Sequence, residues 1–226
     1  MPKRQQFIEE INDENGYGVF LLSQMDAIPD TLQFVIATTE YDEEVDGLRD
    51  KSRYVVRALG VREHKISMGM FNTISFMEKV EHPLLYQYNT PPTAVFFRGK
   101  PENVQELILD IFQGYASTFG NWRHIPQYLN ITKNLLDLLT SDGDLLGEMP
   151  KPLAQYLEKV FQKHDLETKL IEDMQELSTH RKSTDEHEHE HEHHHEHKHA
   201  PQMKLLMLDN SFVVALDFSV EELGMA

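Results

Sequence analysis

"YDEEVDGLRDKSRYVVRALG", residues 41–60, is the stretch whose reading decides the fold. Val45, Leu48, Ser52, Val55 and Leu59 step by three and four, the spacing of one helical face. Asp42, Glu43 and Glu44 crowd the start, where a helix dipole favours anions, and Arg57 stands near the end. Gly60 is a suitable stop. The pattern predicts an amphipathic helix laid over a sheet. It also gives the acidic run, with Glu40, an electrostatic purpose. The run lacks the Asp/Gly spacing of a calcium loop.

On the N-terminal side, residues 1–15 read as a short polar helix with Phe7, Ile8 and Ile11 on one side, ending at Asn15-Gly16. "YGVFLLS" (17–23) and "TLQFVIATTE" (31–40) are apolar and β-branched, two strands joined around Ile28-Pro29-Asp30. On the C-terminal side, residues 63–80 alternate at Ile66, Met68 and Met70 and again at Ile74 and Phe76, as strands do. "PLLYQYN" (83–89) and "TAVFFRG" (93–99) are two further strand candidates. Pro101 opens a second predicted helix, with Val104, Leu107, Ile108, Ile111, Phe112 and Tyr115 on its buried side.

"FGNWRHIPQYLN" (119–130) breaks the pattern. Helical segments are expected at 131–140 and about 151–181, with "SDGDLLGEMPKP" between them and a kink or a second helix near His164-Asp165. Residues 203–220 read as a hairpin around Asp209-Asn210-Ser211. An isolated hairpin is marginal in water. This one is therefore expected to dock on the main body, making the polar stretch before it a loop pinned at both ends.

These elements give an α+β fold: an antiparallel or mixed sheet with covering helices, a helical C-terminal segment and a terminal β-hairpin. The expected divisions are an α+β domain (1–130), a helical segment packing on it (131–181), a His/Glu-rich low-complexity loop (182–202) and the docking hairpin (203–226). The order β-β-α-β-β-β-α over residues 17–117 resembles that of profilin-like modules, including roadblock and longin domains. The resemblance is one of element order, with no diagnostic residues. Pro92-Thr93 before a strand is similar to a thioredoxin-like arrangement, whose redox cysteines this sequence lacks.

Composition narrows the function. The formal charge is −17, with 38 acids against 21 bases. A field of that sign repels nucleic-acid phosphates and anionic lipid and favours basic partners or divalent cations. There are no cysteines, which excludes disulfides, thiolate metal sites and thiol nucleophiles. No apolar run approaches the roughly 20 residues needed to span a bilayer, and the N-terminus lacks the apolar core of a signal peptide. A cytoplasmic protein binding neither nucleic acid nor membrane is expected, with a protein partner or homo-oligomer allowed.

The chemistry concentrates in "HEHEHEHHHEHKHA", residues 187–200. His187, His189, His191, His193, His194, His195, His197 and His199 alternate with glutamates. Neutral imidazole binds Ni²⁺, Zn²⁺, Co²⁺ and Cu²⁺, and crowded imidazoles lower one another's proton affinity. Pairs at i,i+2 and i,i+4, such as His187/His191, His189/His193 and His191/His195, allow binding in extended or helical form. Many overlapping ligand sets predict several ions of moderate affinity, not one fixed zinc site. Similar His-rich stretches occur in metal transporters, nickel chaperones and metal-handling GTPases, whose further motifs are absent here. A solvated spacer with incidental affinity is the plainer account.

Elsewhere the signals are weaker. His64, His82, His124, His164 and His180 are scattered over different elements, and His180 could join the tract. "RGKPEN" (98–103) lies between a strand and a helix, where backbone N–H groups can hold an anion, but no phosphate-loop or dinucleotide fingerprint is present. Trp122, beside Arg123 and His124, could anchor a partner or cover the core. Met68, Met70, Met77, Met203 and Met207 read as core filling. No GxSxG occurs. The expectation is a non-catalytic interaction or regulatory module whose His-rich loop binds divalent metal. The alternatives are a nickel or zinc buffer or delivery factor, and an enzyme with a polar pocket away from the loop.

Overall fold

Residues 47–59 are extended, not helical. The computed structural model describes residues 3–26, 30–44, 46–124, 127–130, 132–172 and 201–223. In it β1 (Gly16–Asp26), β2 (Thr31–Asp42) and β3 (Gly47–Leu59) form a meander, with Tyr54, Val56 and Ala58 buried on one face. The three-and-four spacing was misleading because Leu48 and Leu59, two of its members, are more than 40% exposed. The stronger signal was the period-two set in "RYVVRAL", rich in β-branched and aromatic residues that suit a pleated surface. The acids 42–44 accordingly lead into the β2–β3 turn. There Asp42 Oδ1 accepts from the Glu44 N–H at 2.9 Å, Tyr41 donates to Asp46, and Glu40 pairs with Lys51 at 2.7 Å.

The described residues fall into two compact units, one from residues up to 85 together with those from 201 on, the other from 86 to 172. Residue 130, the end of the first domain expected from the sequence, lies inside the second unit. Every strand pairing among the described residues is antiparallel, so the fold is α+β with antiparallel sheets.

In the first unit, α1 (Lys3–Asn12) buries Phe7 and Ile11. β4 (Glu63–Lys65), β5 (Met70–Phe71) and β6 (Ile74–Met77) follow β3. Only short pieces of the 63–80 alternation are strands, and Met68 and Met70 are 58% and 55% exposed, not core. The C-terminal chain supplies β10 (Lys204–Leu208), β11 (Ser211–Ala215) and β12 (Asp217–Leu223). The hairpin β10–β11 is in place and pairs with β6 and β4, in a sheet of order β4-β11-β10-β6. A third strand, β12, joins β3 in the sheet β12-β3-β2-β1-β5.

Two chain segments pass between these sheets at one corner. Gly60, at φ +64°, carries the first crossing, and an added Cβ there would meet Leu216, the residue of the second. Leu216 N–H bonds the Leu59 carbonyl at 2.9 Å. The two sheets and α1 share one core, in which Phe34, Ile36 and Tyr54 pack with Leu206 and Val213.

The second unit is built on the sheet β8-β7-β9, from β7 (Pro92–Arg98), β8 (Gly143–Pro150) and β9 (Glu167–Glu172). α3 (Val104–Phe119) and α5 (Lys151–Lys163) bury Leu107, Ile111, Leu157 and Phe161 in its core with Val95 and Phe97. α4 (Leu135–Thr140) adds Leu138 and Leu139. Three sequence readings change here. "PLLYQYN" is helix α2 (Pro83–Asn89), with Pro83 at its first position, where a missing N–H is harmless. α3 begins at Val104, not Pro101, because Asn103 caps it by accepting from Glu106 N–H at 3.1 Å. The helix expected over 151–181 ends at Lys163; Asp165, at φ +57°, turns the chain into β9.

The expected order β-β-α-β-β-β-α is therefore not the one observed, since its first helix is β3 and one of its strands is α2. β9 ends at Glu172 in the second unit and β10 begins at Lys204 in the first.

Candidate functional site

The eight histidines named as metal ligands, His187 to His199, lie outside the described residues, as does His180. The other four sit apart. His64 is on β4, opposite Val213 of β11. His82 precedes α2, where its Nδ1 accepts from Leu84 N–H at 3.2 Å and burial lowers its proton affinity. His124 is exposed in the loop after α3. Among the described residues no group of three or more His, Cys, Asp or Glu could hold a metal ion.

His164 has a partner that its neighbours in sequence do not reveal. Its Nε2 lies 2.8 Å from Asp110 Oδ2, which also accepts from Lys163 Nζ at 2.7 Å. The side chain of His164 is 8% exposed and that of Asp110 16%. The lysine and the histidine hold the carboxyl of Asp110 below the ordinary carboxylate range. Fifty-four residues separate Asp110 from His164, so only the packing of α3 on α5 brings them together. With the ring nearly buried and its Nε2 on Asp110, the pair fastens the end of α5 to α3.

One concave feature of the second unit is a cleft of about 650 Å³, within the usual range for ligand sites. Gly147 to Pro150 of β8 form one wall, the 127–130 loop another, and Gln87 and Thr90 near the end of α2 a third. The loop is fastened to β8 by Asn130, whose main-chain N–H bonds the Leu146 carbonyl at 2.8 Å and whose side chain bonds the Leu145 carbonyl at 3.2 Å. The approach is close enough to require glycine: a Cβ at Gly147 would lie 1.9 Å from the Tyr128 carbonyl oxygen.

Tyr128 Oη donates to Gln87 Oε1 at 3.1 Å, which directs the amide N–H₂ of Gln87 away from the phenol. Among the described lining residues Glu148 is the acidic one, and it is exposed. Two glycines and two prolines within 141–152 hide the β8 strand, giving the segment the look of a break between helices. A register shift at Leu146, opposite Val95/Phe96, breaks its alternation further.

The 98–103 segment is a strand-to-helix turn: Gly99, at φ +109°, bonds through its N–H to the Asp142 carbonyl at 3.0 Å, and Lys100 pairs with Asp142 at 3.1 Å. Trp122 is half-buried just beyond α3, and Arg123 is 8% exposed. Among the described residues no helix is long and apolar enough to cross a membrane. Comparison of the chain with protein-family models, curated proteins and solved structures gives no match.

Proposed function

We propose that this chain is a non-catalytic interaction or regulatory module whose His-rich segment binds divalent transition metal ions. The observation that carries the reading is the tract itself. Eight imidazoles within thirteen residues, interleaved with glutamates, form a dense set of ligands suited to borderline-soft divalent cations. Its place in the chain supports a regulatory use. It lies between β9 of one compact unit and β10 of the other. A metal that draws the tract together shortens a connection between folded bodies. The acidic balance of the chain favours cation capture in the same sense.

The interaction part of the reading draws on the cleft against β8. Its side chains are mainly amides and apolar groups, suited to binding rather than to proton transfer. A cytoplasmic setting suits a cysteine-free metal binder that relies on imidazole.

Deleting residues 185–199 in cells tests the proposal. Loss of metal tolerance with partners retained favours a metal buffer or delivery factor. Metal-dependent loss of partners favours the regulatory module. If neither changes, the tract is a spacer and the metal role fails.

A further inference from the structure

Pro92 and Pro150 stand opposite one another in the β7–β8 ladder. Neither has an N–H, so they cannot form the pair that exchanges two hydrogen bonds. Antiparallel partners alternate between hydrogen-bonded and non-hydrogen-bonded pairs. Thr93/Met149 and Val95/Gly147 are therefore the bonded pairs, and Ala94/Glu148 is not. The N–H and C=O of Glu148 consequently project from the outer edge of β8. Among the described residues no strand pairs with that edge, since the sheet order is β8-β7-β9. Asn130 covers it at the Leu145 and Leu146 carbonyls, short of Glu148. This donor and acceptor, which no strand of the described residues takes up, thus belong to a residue that lines the 650 Å³ cleft.

We propose that this cleft binds a short extended peptide segment carrying a basic side chain, paired through its main chain to Glu148. An incoming residue opposite Glu148 exchanges both hydrogen bonds with it, and its side chain falls on the same face as the Glu148 carboxylate. A lysine or arginine there meets the charged wall of the cleft, while the N–H₂ of Gln87 and the amide of Gln127 are at hand for the flanking carbonyls. Pro150 ends the ladder and limits recognition to a short segment. A second copy of this chain is a poor occupant, because two-fold pairing about Glu148 sets two carboxylates directly against each other. The proposal deepens the interaction reading by naming a partner class, and it makes no use of the His-rich tract.

The test is a titration of the ¹⁵N-labelled full-length chain, without metal, with three blocked pentapeptides. The first is acetyl-Thr-Val-Lys-Val-Thr-amide, the second has Glu at the centre, and the third has an N-methylated central Lys. The Lys peptide is expected to shift the Glu148 amide and the side-chain amides of Gln87 and Gln127. The Glu-centred peptide should bind about fivefold more weakly through like-charge opposition. The N-methylated peptide should lose about as much with its donor. Glu148→Gln should abolish the preference for Lys over Glu while leaving the effect of N-methylation. Absence of shifts at these three residues overturns the proposal, as do equal affinities for all three peptides or a concentration-dependent dimer through β8. Metal binding by the tract is untouched by any of these outcomes, so the two readings fail separately.

Discussion

The facing of Pro92 by Pro150 sets the phase of the β7–β8 ladder. Two residues without N–H groups fix which of their neighbours bond inward and which point out. Hydrogen exchange reads that phase directly. The amides of Gly147 and Met149 should be protected, and that of Glu148, between them, should exchange faster by orders of magnitude. Protection of Glu148 equal to that of its neighbours would mean that its amide is bonded and the edge closed.

Gly147, on the same wall of the cleft, sets how closely the 127–130 loop approaches β8. Adding a methyl there sets carbon against the Tyr128 carbonyl and the Leu129 Cα, main-chain atoms that cannot rotate away. Gly147→Ala should destabilise the protein by about 2–3 kcal/mol in urea unfolding. It should also perturb the Tyr128–Gln87 bond, visible in the Gln87 side-chain resonances. A neutral substitution would show that the loop does not press on β8.

In the first unit Asn12 joins α1 to β6. Its side-chain amide donates to the Ile74 carbonyl at 2.9 Å, and its oxygen accepts from the Ile74 N–H at 2.8 Å. Asn12→Asp keeps the acceptor but sets a carboxylate against that carbonyl. A loss of about 1–3 kcal/mol is expected at neutral pH, partly recovered in acid as the group protonates and can donate. Equal stability of the two proteins at pH 7 would contradict the bonding.

Asp110 supplies a pH dependence. Lys163 and His164 hold its carboxyl below the unfolded value, so folding favours the ionised form. A depressed carboxylate contributes stability above the unfolded value of about 3.9 and loses it as pH falls through the folded value. Asp110→Asn should therefore lower the melting temperature at pH 7, and the gap from the parent protein should close below about pH 4. A gap that persists unchanged into acid would assign the loss to packing.

Much of the α+β architecture was legible in the residues. The strands β1, β2 and β7, the helix α3 and the hairpin β10–β11 announced themselves by alternation, by helical spacing and by Asp209-Asn210. The errors have one physical root. Val45, Leu48, Ser52, Val55 and Leu59 match a helical face only if Leu48 and Leu59 are buried, and both are exposed. Burial in β3 is decided by pairing with β2 on one side and with β12, from the far end of the chain, on the other. A local pattern cannot contain that information. The cleft was hidden for the same reason. It needs the contact of Tyr128 with Gly147 and the facing prolines 92 and 150, pairs distant in sequence whose glycines and prolines read locally as breaks. The chemistry of the histidine tract, by contrast, is wholly a property of its composition.

The central claim is metal capture by that tract, and calorimetric titration of the untagged full-length protein with Ni²⁺, Zn²⁺ and Co²⁺, beside the protein lacking residues 185–199, tests it most directly. The account predicts more than one ion bound per chain with moderate affinity, lost on deletion, and weakened below about pH 6 as the imidazoles protonate. Equal heats from the two proteins, or binding that survives the deletion, would contradict it.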